Sequence, residues 1–299
     1  MGIFDFIQNL KKESEPEILS STYMFVSLNN GAGCKTIASQ VALALAQGEK
    51  DIVGIFDGDF FMPVMSSVMN TTIGKEDSIL NYFNAGKEIN ECIIESKEAK
   101  NIKLVSASPV DKPVELLNVD REMVEDLYDY LKKTFDYFII CIPYLPLCEW
   151  FVYGLSYVDK GYLVWDEQPT NAVKTRIVLD FVNSVSDKAN SINNIIINKR
   201  TKYGFPYEEI DKIECNYITE FPFVEELDRL RKEGKQYVKQ SAIDNNFKEG
   251  LNELMENMLL SEIIGEDEYS ETNGKDVQSD SEEEKDYFED DDEDKEGDI

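Results

Sequence analysis

Apolar positions along this chain fall into two alternating rhythms. Tyr23-Met24-Phe25-Val26-Ser27 is a continuous apolar run that enters a glycine-containing turn, and Thr36 to Ala46, rich in Ala, Val and Leu, follows as a helix. The pattern repeats. Asp51 to Phe56, Ile102 to Val105, Tyr137 to Ile142, Gly161 to Trp165 and Ile192 to Ile197 read as strands, with helices predicted over Val114–Lys133 and Asn171–Val185. Strands apolar on both faces and spaced by helices predict an α/β fold: a doubly wound, mainly parallel sheet covered on two sides. Phe247 to Ile264 closes the series, with Leu251, Leu254, Met255, Met258 and Leu259 on one helical face.

The two ends read differently. Ile3, Phe6, Ile7 and Leu10 stand at i, i+3, i+4, i+7 spacing before Lys11-Lys12, which predicts an amphipathic helix over residues 1–12. Residues 13–21 read as a linker, 22–264 as the folded domain, and 265–299 as an acidic tail too poor in apolar residues to order itself. The net charge is −30, of which −16 falls between Ser261 and Ile299 and −14 on the rest. Both parts repel phosphate backbones, so nucleic acid is excluded as a partner.

Five cysteines without a C-x-x-C pair suit a reducing compartment, and the absence of histidine removes imidazole from any acid–base or metal chemistry. No apolar run reaches the roughly 18 residues of a membrane span. A cytoplasmic protein is expected. Helix 1–12 is then its one route to the inner face of a membrane or to a protein groove; the −14 body disfavours anionic lipid, so a protein partner is preferred.

Candidate chemistry begins at Ser27-Leu28-Asn29-Asn30-Gly31-Ala32-Gly33-Cys34-Lys35-Thr36. This strand–turn–helix passage resembles the deviant Walker A loop of the MinD/ParA family, in which backbone N–H groups at a helix start wrap phosphates. Two registers are open. If Lys35-Thr36 is the terminal Lys-Thr pair, Cys34 replaces the last loop glycine, and Thr36 becomes the metal ligand. If Gly31-Ala32-Gly33 is the family's Gly-Val-Gly, Cys34 takes the phosphate-binding lysine position and Lys35 the metal-binding threonine position. The second register is gap-free and preferred. One helical residue turns a side chain by about 100°, so Lys35 cannot serve both roles. In the second register Asn29 replaces the signature lysine that acts across a dimer; an analogous arginine finger supplies roughly 10³–10⁵ in rate. Lys35 then points where Mg²⁺ would sit, which suggests metal-independent nucleotide binding.

Further motifs support the resemblance between about Thr22 and Lys248. Phe56-Asp57-Gly58-Asp59 stands where the family carries Asp-x-Asp, which implies Asp59 as the water-orienting residue and Asp57 in the metal shell. Phe135 to Pro143 is similar to the Walker B strand, with Cys141 at its aspartate position; a neutral thiol is a poor ligand for hard Mg²⁺. Asn198-Lys199-Arg200 resembles the Asn-x-Arg base-recognition motif, and Phe221-Pro222-Phe223 the loop that lies along adenine. The resemblance implies ATP or ADP as ligand, a homodimer, and Asn29 to Thr36, Asp57, Asn198, Arg200 and Pro222 as the nucleotide contacts. Similarly eroded loops occur in CpaE- and TadZ-type relatives, so the resemblance implies a pseudo-ATPase that positions pilus or secretion machinery. The competing expectation is a working MinD/ParA-type ATPase that positions or partitions a cargo.

Overall fold

The computed structural model describes residues 20–112, 119–143, 149–186, 191–203 and 207–271, with side chains as far as Leu259. The amphipathic helix with Ile3, Phe6, Ile7 and Leu10, nearly all of the linker, and the tail beyond Glu271 lie outside these residues.

Among the described residues, eight strands form one sheet in the order β3-β4-β2-β5-β1-β6-β7-β8. In chain order they are β1 (Ser21–Ser27), β2 (Val53–Asp57), β3 (Ile94–Glu95), β4 (Ile102–Ser106), β5 (Tyr137–Pro143), β6 (Lys160–Trp165), β7 (Asn194–Arg200) and β8 (Asn216–Pro222). Every pairing is parallel except the short β3 against β4. The helices are α1 (Cys34–Leu45), α2 (Met65–Val68), α3 (Leu80–Ala85), α4 (Arg121–Thr134), α5 (Glu149–Gly154), α6 (Asn171–Val185), α7 (Glu208–Asp211), α8 (Glu226–Lys232) and α9 (Asn245–Glu271).

Strand periodicity divides the core between the two faces of the sheet. Tyr23 and Phe25 of β1 join Ile139 and Cys141 of β5 under α1 and α9, where Phe247, Leu251 and Met255 complete one cluster. Met24 and Val26 point the other way, with Phe138, Tyr128, Phe151, Trp165 and Val178, against α4, α5 and α6. On that second face Phe60 and Phe83 each meet Trp150 edge-on at 4.8 Å between ring centroids, and Phe56 lies 5.8 Å from Phe60. Helix α1 is buried almost all round, which its Ala, Val and Leu content permits and an amphipathic helix would not.

The structure shifts several expected boundaries. Helix α4 starts at Arg121 rather than Val114, because Asp120 is extended and its carboxylate accepts from Glu122 N at 3.1 Å; residues 113–118 lie outside the description. Strand β7 starts at Asn194, while Ile192 lies against Gly161, where a Cβ would sit 2.5 Å from its Cγ2. Helix α9 runs past Ile264 to Glu271, so residues 265–271 are helical where tail was expected. Strands β3 and β8 were not predicted. Asn216 to Pro222 mixes polar and apolar residues, with only Thr219 and Phe221 buried, as an edge strand can, and Pro222 ends it where a missing N–H costs nothing.

Candidate functional site

In a parallel sheet every strand delivers its C-terminal turn to the same edge, and ligands bind at that edge beside the strand where the winding reverses. Here β1 lies between β5 and β6. The turns after β1, β2, β6 and β7 bring together nearly all the residues singled out above.

The loop after β1 is shaped by two glycines with left-handed backbone, Gly31 at φ 81° and Gly33 at φ 94°. Ser27 Oγ donates to Asn29 O at 2.6 Å, and Ala32 N donates to the same carbonyl at 3.2 Å. Gly33 precedes α1 with no side-chain cap, so the first N–H groups of that helix face the edge of the sheet. Asn30 and Gly31 form the exposed tip; Ala32 is buried. Cys34, the first helical residue, turns inward, and its Sγ donates to Phe25 O at 3.3 Å. Its thiol also meets that of Cys141, which is fully buried opposite Phe25 and Asp57 in the strand register. Burial first, then the neighbouring Cys34 thiol, holds Cys141 well above the ordinary thiol range, so it stays neutral.

Lys35 and Thr36, adjacent in sequence, turn to different partners. Lys35 Nζ lies 3.0 Å from Asp57 Oδ1 and 3.1 Å from Asp59 Oδ2, and donates to Met62 O at 2.5 Å. Thr36 Oγ1 instead accepts from Arg231 Nη2 at 2.8 Å.

Asp57 is completely buried and also accepts from Met65 N at 2.9 Å; Asp59 Oδ1 accepts from Met62 N at 3.1 Å. Burial raises the Asp57 pKa to about 6, against the opposing pull of Lys35. Burial alone would lower that of Lys35, but Asp57 and then Asp59 more than offset it, so the pair is ionised at neutral pH.

The remaining loop partners are polar and internal. Asn29 is buried; its Nδ2 donates to Asp166 Oδ1 at 3.0 Å and to Asn171 Oδ1 at 2.5 Å, while Lys174 Nζ donates to its Oδ1. Asn29 is therefore bound within its own chain. Asn198 also faces inward. Its Nδ2 donates to Ala32 O at 2.7 Å, and a Cβ on Gly33 would lie 2.0 Å from that nitrogen. Arg200 bonds Glu220 Oε2 at 2.7 Å and Glu167 Oε1 at 2.5 Å. Burial would lower its pKa, but these two carboxylates raise it. Pro222 pairs with Arg200 in the β7–β8 register and is half-buried.

A cavity of about 230 Å³ opens between the turns after β1 and β2, the end of β5 and α8, lined among others by Gly31, Gly33, Cys34, Lys35, Asp59 and Arg231; Asn198, Arg200 and Pro222 do not line it. Arg231 carries no motif signal and was not predicted; neither were Asp166, Glu167 and Lys174.

This edge-of-sheet arrangement can be compared with known proteins. No family model matches the chain, and no curated protein matches it. Solved structures do. The septum site-determining protein MinD complexed with Mg-ADP from Pyrococcus horikoshii is 16% identical, with a TM-score of 0.65 over 82% of this chain and 98% of that one. The chain has the MinD/ParA fold. A ParA family ATPase from Chlorobium tepidum is 19% identical, with a TM-score of 0.66 over 79% of this chain and 98% of its own. A Cyanothece McdA variant in complex with ATP is 12% identical, with a TM-score of 0.64 over 81% and 97%. The MinD/ParA fold accounts for the shared edge on which the glycine loop, the acidic turn and the Asn198–Arg200 strand end converge.

Proposed function

We propose that this chain is a nucleotide-binding positioning or assembly scaffold that works as a homodimer and hydrolyses ATP very slowly. The observation that carries the reading is the Lys35 ammonium between Asp57 and Asp59. The residues present do not fit Mg²⁺: a hard cation wants oxygen ligands, whereas here an ammonium already stands between the two carboxylates and a neutral thiol, Cys141, stands in the register beside Asp57. The glycine loop does suit a phosphate chain, since Gly31 and Gly33 hold the backbone close and open above a helix start. MinD-fold neighbours in complex with Mg-ADP and with ATP support a nucleotide as ligand. The protein partner expected at Ile3, Phe6, Ile7 and Leu10 belongs to the same proposal.

With Asn29 tied to Asp166 and Asn171, no cation from this loop position is available to a second subunit. Losing one such preorganised charge typically costs about 10²–10³ in turnover. Equal ATP affinity in EDTA and in Mg²⁺, with hydrolysis far below that of active ATPases of this fold, is the expected result. A strict Mg²⁺ requirement with brisk turnover would instead establish the working-ATPase reading.

A further inference from the structure

We propose that Arg231 is the phosphate-binding cation of this site, delivered from α8 in place of the lysine missing from the loop. The inference rests on the nucleotide-binding reading above and names the group that makes it electrostatically feasible. Position 34, at the start of α1, holds a thiol turned into the core. Lys35 is positive but faces two carboxylates, so the Lys35–Asp57–Asp59 group carries a net negative charge and repels phosphate. Among the side chains lining the cavity, that leaves Arg231 as the cation without a close carboxylate. Its ion-pair partner among the described residues, Asp228, is 4.0 Å away and largely exposed, where screening makes the pair weak. Its other bond goes to a neutral hydroxyl, Thr36 Oγ1, at 2.8 Å. A guanidinium so placed can exchange that hydroxyl for two phosphate oxygens, the bidentate geometry that suits arginine.

The Arg231 side chain is exposed, but the helix that carries it is anchored. Leu230 beside it is buried. The chain after α8 is bound to α1 and α2 through buried amides: Gln236 Nε2 donates to Val68 O at 2.7 Å, Gln40 Nε2 to Gln236 Oε1 at 3.2 Å, and Val238 N to Gln40 Oε1 at 3.0 Å. A satisfied buried amide network of this kind fixes geometry rather than merely adding stability. It fastens α8 to the helix whose first turn would meet the phosphates.

The test is calorimetric titration of the full chain in EDTA with ATP, with tripolyphosphate and with adenosine. Arg231→Ala and Arg231→Gln should weaken ATP and tripolyphosphate at least tenfold and leave adenosine unchanged. Arg231→Lys should recover part of the loss, and the salt dependence of ATP affinity should flatten in the Ala and Gln variants. Gln keeps a neutral hydrogen-bonding side chain at the position, so its equal loss points to the charge; matching melting temperatures check folding. Loss of ATP binding without loss of tripolyphosphate binding would mean that Arg231 does not contact phosphate. Wild-type ATP affinity in Arg231→Ala overturns this inference alone, whereas failure of the wild type to bind any of the three overturns the nucleotide-binding reading with it.

Discussion

The acidic side of the site and the base side depart from their expected roles in opposite ways. Around Asp57 and Asp59, where the resemblance implies a metal ion, a positive centre sits between two carboxylates and is supplied by Lys35. Around Asn198 and Arg200 the expected residues are present, yet their polar groups are committed to Ala32, Glu167 and Glu220. The difference teaches that residue identity and residue availability are separate quantities. A substituted position can preserve a function's physics, and a preserved one can be spent on holding the fold.

The largest test strikes the acidic side. Lys35→Met leaves Asp57 buried without its countercharge, and breaking such a buried pair typically costs about 3–5 kcal/mol. The loss should depend on pH in a defined direction. The folded Asp57 carboxyl, at about 6, binds its proton more tightly than the ordinary 3.8. It therefore favours the folded state most below 3.8, and that contribution is lost as pH rises through 6. Removing Lys35 moves the folded pKa higher still. Urea denaturation should show the gap between wild type and variant widest near pH 8 and shrinking toward pH 5. A gap independent of pH would mean that Asp57 is not the group left stranded.

The next test asks whether Asn198 is a strut. Gly33→Ala forces a side chain into left-handed backbone and into Asn198 Nδ2, at a cost of about 2 kcal/mol in thermal stability. In Asn198→Ala the obstruction is gone, so Gly33→Ala should cost visibly less there, and the two losses should not add. Additive losses would show that Asn198 does not brace the loop. The smallest effect is expected for Arg200→Ala. Two carboxylates lose their partner, but Glu220 is open enough to solvent to limit the loss to about 1–2 kcal/mol.

These contrasts also explain what was legible in the sequence. The central strands were, because a parallel strand buried on both faces must be apolar throughout, as Tyr137 to Ile142 is. Strand β8 was not: an edge strand need not be apolar throughout, and the loop reading of Phe221-Pro222-Phe223 hid its last residues. The acidic turn and the glycine loop were visible as motifs, but the direction of Lys35 depends on where α1 starts, to within one residue. Arg231 was invisible because nothing local marks it. Its position follows from Gln236 meeting Gln40 and Val68, a long-range contact that no spacing rule contains.

The placement of the aromatic residues gives the two sides separate optical reporters. The sequence holds two tryptophans. Trp150 is buried against Phe60, the residue that follows Asp59, so any opening of the acidic turn would lift a ring from its indole and alter its emission. Trp165 ends β6, directly before the Asp166 and Glu167 that hold Asn29 and Arg200, and its Nε1 donates to Thr175 Oγ1 at 2.9 Å. Substituting either indole by phenylalanine leaves the other as a single-site fluorophore. Motion of the acidic turn and motion of the base side could then be followed apart, in the unlabelled protein and in real time.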